Sequence, residues 1–313
     1  MSLDPLARVF LDQLAATPRP KVWSVPPDEM RAGFRAMVKS WGPKDVPIGR
    51  VESFVMPGPG GELALRVYTP VAAGGESLPV LVFFHGGAFR VGDLDTHEVT
   101  CRILAGEGGC RVVSVDYRLS PEHKFPAAVD DALAATKWVE ANAARLGIDA
   151  NRIAVGGDSA GGNLAAVVCQ LAMRSAGPRI AFQLLLYPVT QVGSTFPSMR
   201  TFAAGYMMEK EALEYCLGEY ASGADHSDLR LSPLLAEDFS GLPAACVVLA
   251  GCDPLHDEGL AYAEKLGAAG VDVTLADYPG MLHGFTLMLS VFPQAHAALT
   301  AAAKAVRKAL AKG

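Results

Sequence analysis

A serine flanked by glycines follows an apolar run and precedes a helical pattern. Ser159 lies within the sequence GDSAGG at 157–162, directly after the apolar residues 153–156. A serine hydroxyl becomes a useful nucleophile only when a sharp turn presents it beside a base. Gly157 and Gly161 lack the β-carbons that would collide where a strand turns abruptly into a helix. The pattern therefore predicts a strand–turn–helix that carries a catalytic serine, with a glycine-rich turn and an incidental serine as the alternative.

A nucleophilic serine needs a histidine base, and the base needs an acidic residue that orients it. His283 follows the last predicted strand, and Gly284 beside it allows a tight turn. We therefore expect its imidazole at the same edge of the sheet as Ser159. Asp253 follows the preceding predicted strand and is the preferred orienting acid, while Asp257, one helical turn later, is the competing candidate.

A glycine pair in another loop predicts a site for the charge that develops during acyl transfer. The tetrahedral intermediate carries an oxyanion, which backbone N–H groups stabilise. Gly86 and Gly87 follow the apolar strand that ends at Phe84. We expect their N–H groups, with that of Ala160, to form the oxyanion hole, although a plain glycine turn would have the same composition. His85 is expected to brace this loop.

Strand and helix patterns alternate from about residue 62 onward, which predicts a doubly wound, mostly parallel α/β sheet. Several of the predicted strands are nearly continuous apolar runs, typical of strands that are buried on both faces. The predicted strands are residues 63–68, 80–84, 111–116, 153–156, 182–187, 245–250 and 273–278. The predicted helices are residues 127–146, 160–176, 258–269 and 293–312.

Two segments interrupt this alternation. Residues 1–50 contain two amphipathic helix patterns separated by Pro18-Arg19-Pro20, and residues 190–242 are too long for an ordinary connection. We expect both to form a helical cap over a core of residues 51–189 and 243–313. The apolar side chains expected to line a substrate pocket are Phe34, Met37, Phe89, Phe202, Met207, Met208, Leu255 and Phe285.

Composition excludes several classes of function. The formal net charge is −6 and no basic run occurs, which gives no support for nucleic-acid binding. No stretch is long and apolar enough to span a membrane, and the charged N-terminus has no signal-peptide pattern, so a cytoplasmic location is expected. The six cysteines form neither a CxxC motif nor a Cys/His cluster, so the sequence predicts no metal, cofactor or disulfide.

Five motifs together make the chain resemble the hormone-sensitive-lipase-like esterases, the bacterial family IV carboxylesterases. They are HGGAF at 85–89, DYRLSPE at 116–122, GDSAGG at 157–162, DPLHDE at 253–258 and HGF at 283–285. The resemblance implies an α/β-hydrolase fold and hydrolysis of small esters with short to medium acyl chains through an acyl-enzyme. It also implies Ser159 as nucleophile, with Asp253 and His283 as its partners.

The motifs also suggest supporting residues and one departure from the family pattern. Asp116, Arg118 and Glu122 are expected to form a buried polar network behind the oxyanion loop, and His85 and Asp158 to support the site. The family often has a third glycine where this chain has Ala88. Its N–H remains, and the added methyl group is expected to narrow the space for the alcohol group.

Other activities use the same machinery. A deacetylase, a lactonase or an amide hydrolase would carry the same triad. A non-catalytic binding protein, such as the plant gibberellin receptors, would have lost the histidine that is present here as His283. The final strand, at 273–278, is expected at an exposed sheet edge, where a homodimer could form.

Overall fold

The computed structural model describes residues 2–17, 20–43, 45–74, 77–175 and 177–311. Pro18 and Arg19, in the expected break between the first two helices, lie outside this range. The strands are β1 Arg50–Gly58, β2 Gly61–Thr69, β3 Leu78–Phe84, β4 Arg111–Val115, β5 Ile148–Asp158, β6 Ile180–Leu186, β7 Ala244–Cys252 and β8 Val273–Leu282. The α-helices are α1 Pro5–Ala15, α2 Pro27–Trp41, α3 Glu98–Gly108, α4 Ala127–Ala141, α5 Ala143–Leu146, α6 Ala160–Arg174, α7 Ser198–Thr201, α8 Lys210–Tyr220, α9 His256–Ala268 and α10 Pro293–Leu310.

The eight strands form one sheet in the order β1-β2-β4-β3-β5-β6-β7-β8. From β4 to β8 all neighbouring pairs are parallel, whereas β1 pairs antiparallel with β2 and β2 with β4. The expected mostly parallel α/β sheet is confirmed. Because the parallel strands end at one edge, the loops after β3, β5, β7 and β8 emerge side by side.

Two apolar clusters cover the two faces of this sheet. One combines side chains of α4, α6 and α9, and the other combines those of α3 and α10. The central strands are buried throughout; residues 80–84 of β3, for example, are all 0% exposed. These strands are apolar along their whole length, as expected where helices cover both faces of the sheet.

Two elements were missing from the sequence prediction, and one predicted helix is divided. Strand β1 lies at the sheet edge and buries only Met56, so it lacks the apolar signal of the central strands. Helix α3 contains the β-branched residues Val99, Thr100 and Ile103, which weaken its helical propensity. The helix expected over 127–146 is interrupted at Asn142 into α4 and α5.

The N-terminal residues contact the segment that lies between β6 and β7. Trp23 packs against Tyr215 of α8, with ring centroids 5.8 Å apart. Lys21 lies 3.4 Å from Glu211 and 3.6 Å from Glu209. The two segments that interrupted the α/β alternation are therefore in contact at the start of α8. None of the helices within the described residues is both long enough and apolar enough to cross a membrane.

Candidate active site

Ser159 connects β5 to α6 in a turn that few residues adopt. Its φ is +55° and its ψ is −116°, and its N–H donates to the carbonyl oxygen of Leu186 at 2.8 Å. A β-carbon at either Gly157 or Gly161 would collide with the carbonyl oxygen of Phe84. The two glycines thus allow β5 and α6 to approach the end of β3, and the turn holds the serine at the junction.

The imidazole of His283 lies between the Ser159 hydroxyl and the Asp253 carboxylate. Its Nε2 is 2.9 Å from Oγ of Ser159, and its Nδ1 is 2.7 Å from Oδ2 of Asp253. Asp253 is 0% exposed, and its other oxygen accepts a hydrogen bond from the Leu255 N–H at 2.8 Å. The three side chains selected from distant parts of the sequence therefore form one hydrogen-bonded chain.

The competing acid, Asp257, has different partners. One of its oxygens accepts from the Ser198 N–H, and the other lies 2.9 Å from Nδ1 of His256. The second ring nitrogen of His256 lies 3.3 Å from Asp277. Although burial alone would lower it, these two carboxylates raise the pKa of His256 above its ordinary value. Asp253, and not Asp257, contacts His283.

The amide groups of the loop after β3 correct one of our predictions. The Gly86 N–H donates to Oδ1 of Asp158 at 2.8 Å, so it is not free to bind an oxyanion. The N–H groups of Gly87 and Ala88 have no acceptor among the described residues. Ala160 is the first residue of α6, and its N–H has no intrahelical acceptor. The available donors are therefore Gly87, Ala88 and Ala160.

Asp158 is a buried carboxylate, and such a group needs hydrogen-bond donors, which explains its bond with the Gly86 N–H. It is 3% exposed, and its Oδ1 also lies 3.0 Å from Nε2 of His97. Burial would raise the pKa of Asp158, but His97 and the Gly86 N–H outweigh it and hold the pKa below its usual value. His97 lies just before α3, and no signal in its surrounding sequence singled it out.

His85 packs under the same loop. Its Nδ1 lies 2.8 Å from the carbonyl oxygen of Gly86, and its ring stacks on Tyr117 with centroids 4.3 Å apart. The Tyr117 hydroxyl donates to the His85 carbonyl oxygen at 2.6 Å. Burial and the nearby His97 lower the pKa of His85 to about 4, so the ring is neutral at ordinary pH.

The expected buried network of Asp116, Arg118 and Glu122 is not present. Arg118 pairs with the buried Asp131 at 2.8 Å, whereas Asp116 and Glu122 are exposed. Glu122 instead pairs with Arg31 of α2 at 2.6 Å. The prediction was wrong because the side chains of nearby residues in an irregular loop point in different directions. Closeness in the sequence does not reveal these directions.

The eight expected pocket residues are divided between two apolar clusters. Phe89, Leu255 and Phe285 are at most 1% exposed and serve the packing of the core. Phe89 stacks on Tyr220 with centroids 3.9 Å apart, in a different apolar cluster from Phe285. Phe202 belongs to the cluster of Phe285, and Phe34, Met37 and Met207 pack against that cluster, while Met208 packs against the cluster that contains Phe89 and Leu255.

Tyr187 contacts His283, and the sequence analysis did not identify it. It follows β6 with a φ of +35°, and its ring meets the imidazole edge-on, with centroids 4.9 Å apart. Its hydroxyl forms a hydrogen bond with Oγ1 of the buried Thr286. Within the described residues, no group of three or more His, Cys, Asp and Glu side chains could hold a metal ion.

Comparison with known proteins gives one family and many relatives. The profile of a family described as having the alpha/beta hydrolase fold matches residues 81–287. A carboxylic ester hydrolase of Mycobacterium tuberculosis, LipN, is 45% identical over 262 residues, covering 82% of this chain and 69% of that protein. An ethyl acetate hydrolase of Pseudomonas putida is 42% identical over 259 residues, covering 80% of each.

Solved structures agree with these relatives. An ester hydrolase from the metagenome of Lake Arreo superposes with a TM-score of 0.94 at 41% identity, covering 98% of each chain. A hyperthermophilic esterase of Pyrobaculum calidifontis gives a TM-score of 0.91 at 40% identity, covering 98% of this chain and 99% of the other.

Proposed function

The chain belongs to the hormone-sensitive-lipase-like family of α/β-hydrolases and is a carboxylic ester hydrolase, and we propose that Ser159, Asp253 and His283 are its catalytic triad. The hydrogen-bonded chain from Oγ of Ser159 through His283 to the buried Asp253 supports this assignment. In such a chain the imidazole can take the serine proton, and the carboxylate fixes its tautomer and stabilises the imidazolium.

The reaction has two steps. The Ser159 hydroxyl attacks the ester carbonyl as Nε2 of His283 accepts its proton, and the N–H groups of Gly87, Ala88 and Ala160 stabilise the oxyanion. The imidazolium then gives its proton to the departing alcohol. Water, deprotonated by the same imidazole, cleaves the acyl-enzyme and restores the serine. Ala88 takes the role in the oxyanion site that we had expected for Gly86, because the Gly86 N–H is hydrogen-bonded to Asp158.

We infer that residues 1–50 and 190–242 together form a cap and that the preferred esters have short to medium acyl chains. The contact of Trp23 with Tyr215 and the Lys21–Glu211 pair support a single cap. The name of the Pseudomonas relative, ethyl acetate hydrolase, supports small substrates. Turnover of acetyl, hexanoyl and hexadecanoyl esters should be fastest for the first two; a preference for hexadecanoyl would contradict this inference.

Covalent labelling tests the triad. A fluorophosphonate should label the protein at Ser159, and the Ser159→Ala variant should lose both labelling and ester turnover. The exposed Ser175, at the end of α6, provides a control, because Ser175→Ala should label like the parent. Equal labelling of Ser159→Ala and the parent would contradict the assignment. A panel of esters, lactones and anilides would separate ester hydrolysis from the lactonase and amidase alternatives.

We also infer a reducing, cytoplasmic location and a homodimer. All six cysteines are buried and unpaired, as in proteins of reducing compartments. Strand β8 lies at the sheet edge, with Leu275 exposed, and could pair with a second copy. Cell fractionation tests the location. Light scattering at several concentrations tests the dimer, and a constant monomer mass would exclude it.

A further inference from the structure

Arg90 lies two residues beyond Ala88, and its side chain is buried against helix α8. The residue is 3% exposed, and its guanidinium pairs with the Glu219 carboxylate. The guanidinium carbon also lies 5.4 Å from the centroid of the Tyr215 ring, whose hydroxyl donates to the other oxygen of Glu219 at 3.3 Å. A buried guanidinium needs a carboxylate partner, and here the partner belongs to the segment proposed as part of the cap.

The same turn is also held by α2. Nε of Arg31 donates to the carbonyl oxygen of Arg90 at 3.1 Å, and Nη2 of Arg31 donates to that of Ser120, also at 3.1 Å. The ring of Phe89, the residue before Arg90, stacks on Tyr220 of α8. Residues 89 and 90 are therefore bound by both of the segments proposed to form the cap.

The main chain of Arg90 fixes the direction of the Ala88 N–H. The N–H groups of Arg90 and Val91 both donate to the carbonyl oxygen of Gly87, each at 3.0 Å. That carbonyl and the Ala88 N–H belong to one planar trans peptide unit, so they point in opposite directions. The contacts that hold the Gly87 carbonyl in place therefore also hold the Ala88 N–H in place.

This turn has a conformation that needs support from outside it. Ala88 and Phe89 have φ values of +52° and +59°, in the left-handed region, which costs energy in residues that carry a β-carbon. Strained backbone of this kind persists where surrounding contacts hold it in place. The buried side chain of Arg90 provides such a contact on the side of α8.

We propose that Arg90 is a positioning residue, whose pairing with Glu219 keeps the Ala88 N–H directed at the reacting oxygen. This inference rests on the oxyanion role proposed above for that N–H. The oxyanion forms only as the serine attacks, so a misdirected donor destabilises the transition state and leaves the bound ester unaffected. Arg90 acts through the turn and does not touch the ester.

Steady-state kinetics with 4-nitrophenyl butanoate tests the pair from both sides. Arg90→Met keeps the length of the side chain and removes its charge, and Glu219→Gln removes the charge of the partner. Each variant should lower kcat about tenfold, less than the loss of a whole oxyanion donor, with KM within about twofold of the parent's. The double variant should lose about as much as either single variant, because both changes break the same contact.

A control variant breaks an ion pair far from this turn. Arg152 lies 2.7 Å from Asp149 at the start of β5, the end opposite to Ser159. Arg152→Met should leave kcat and KM unchanged. Thermal unfolding of every variant verifies that it is folded at the assay temperature, and Glu219→Gln is used wherever Arg90→Met is not.

Removing the donor itself separates positioning from a general structural role. With lactic acid in place of Ala88, an ester oxygen replaces the N–H, so nothing remains at this position for Arg90 to direct. In that protein Arg90→Met should change kcat by less than about twofold, since the two changes act through one group. A merely structural role of Arg90 would lower kcat by the same factor with and without the N–H.

Four results would overturn the proposal. They are an unchanged kcat in the single variants, an effect confined to KM, an equal loss from Arg90→Met with and without the Ala88 N–H, and no loss of kcat from the lactic acid alone. In all four cases the parent would still hydrolyse the ester and be labelled at Ser159, so the triad assignment would stand. A parent protein that did neither would contradict the proposed function instead.

Discussion

The Tyr187 hydroxyl is hydrogen-bonded to Oγ1 of Thr286, three residues beyond His283. The ring of the same tyrosine meets the His283 imidazole edge-on, at an interplanar angle of 62°. One residue at the end of β6 therefore contacts both the histidine and the backbone turn that carries it. Thr286 and Tyr187 are buried, so this contact is shielded from solvent.

Replacing Tyr187 by Phe should slow the reaction without weakening substrate binding. The change keeps the ring but leaves Oγ1 of Thr286 without its partner, which costs about 1 kcal/mol and roughly a fivefold loss of kcat. KM should stay within about twofold. Tyr262→Phe, at another buried tyrosine on α9, is the control and should leave kcat unchanged. An equal loss in both variants would show that Tyr187 acts only through stability.

The choice between two carboxylates predicts contrasting variants. Asp253→Asn should lower kcat by roughly 10³- to 10⁴-fold, because the amide favours the wrong tautomer of His283. Asp257→Asn should stay within about threefold of the parent, because Asp257 contacts Ser198 and His256. Steady-state kinetics with a short-chain ester would decide, and the reverse order of effects would refute the assignment.

Backbone substitution can test which amides stabilise the oxyanion. Lactic acid in place of Ala88, introduced as an α-hydroxy acid, replaces the N–H by an ester oxygen. It should lower kcat by about 10²- to 10³-fold. Glycolic acid at Gly86 removes the donor to Asp158 and should lower stability more than it lowers kcat. Thermal unfolding and kcat should be measured for both; equal effects on kcat would contradict our assignment.

The buried Glu258 predicts a pH dependence of stability. Its pKa is raised to about 7 in the folded state from an ordinary value of 4.5, so the unfolded state loses this proton first as pH rises. The free energy of unfolding therefore falls between about pH 4.5 and 7 and does not recover above that range. The Glu258→Gln variant has no titrating group here, so its free energy of unfolding should not fall over this range. At pH 8 that free energy should exceed the parent's by about 3 kcal/mol more than it does at low pH.

Urea unfolding at pH 5 and pH 8 would measure this difference. The exposed Glu264 lies on the same helix, so Glu264→Gln should follow the parent at both pH values. A difference between Glu258→Gln and the parent that is equal at the two pH values would mean that Glu258 is ionised throughout.

The sequence predicted the parts of the site that depend on chain order. Ser159, Asp253 and His283 each follow a predicted strand, and parallel strands end at one edge, so their meeting followed from topology. The choice of Gly86 failed because Asp158, 72 positions away, binds that amide through a tertiary contact. Tyr187 and His97 were missed for the same reason: packing, and not sequence position, sets their contacts.

The bond between Gly86 and Asp158 joins the loop after β3 to the last residue of β5. Gly87 and Ala88 follow one end of this bond, and Ala160 lies two residues beyond the other. The N–H dipoles that we propose to face the reacting oxygen are thus oriented when the chain folds. An incoming ester would find them already aligned, and its own affinity need not be spent on assembling them.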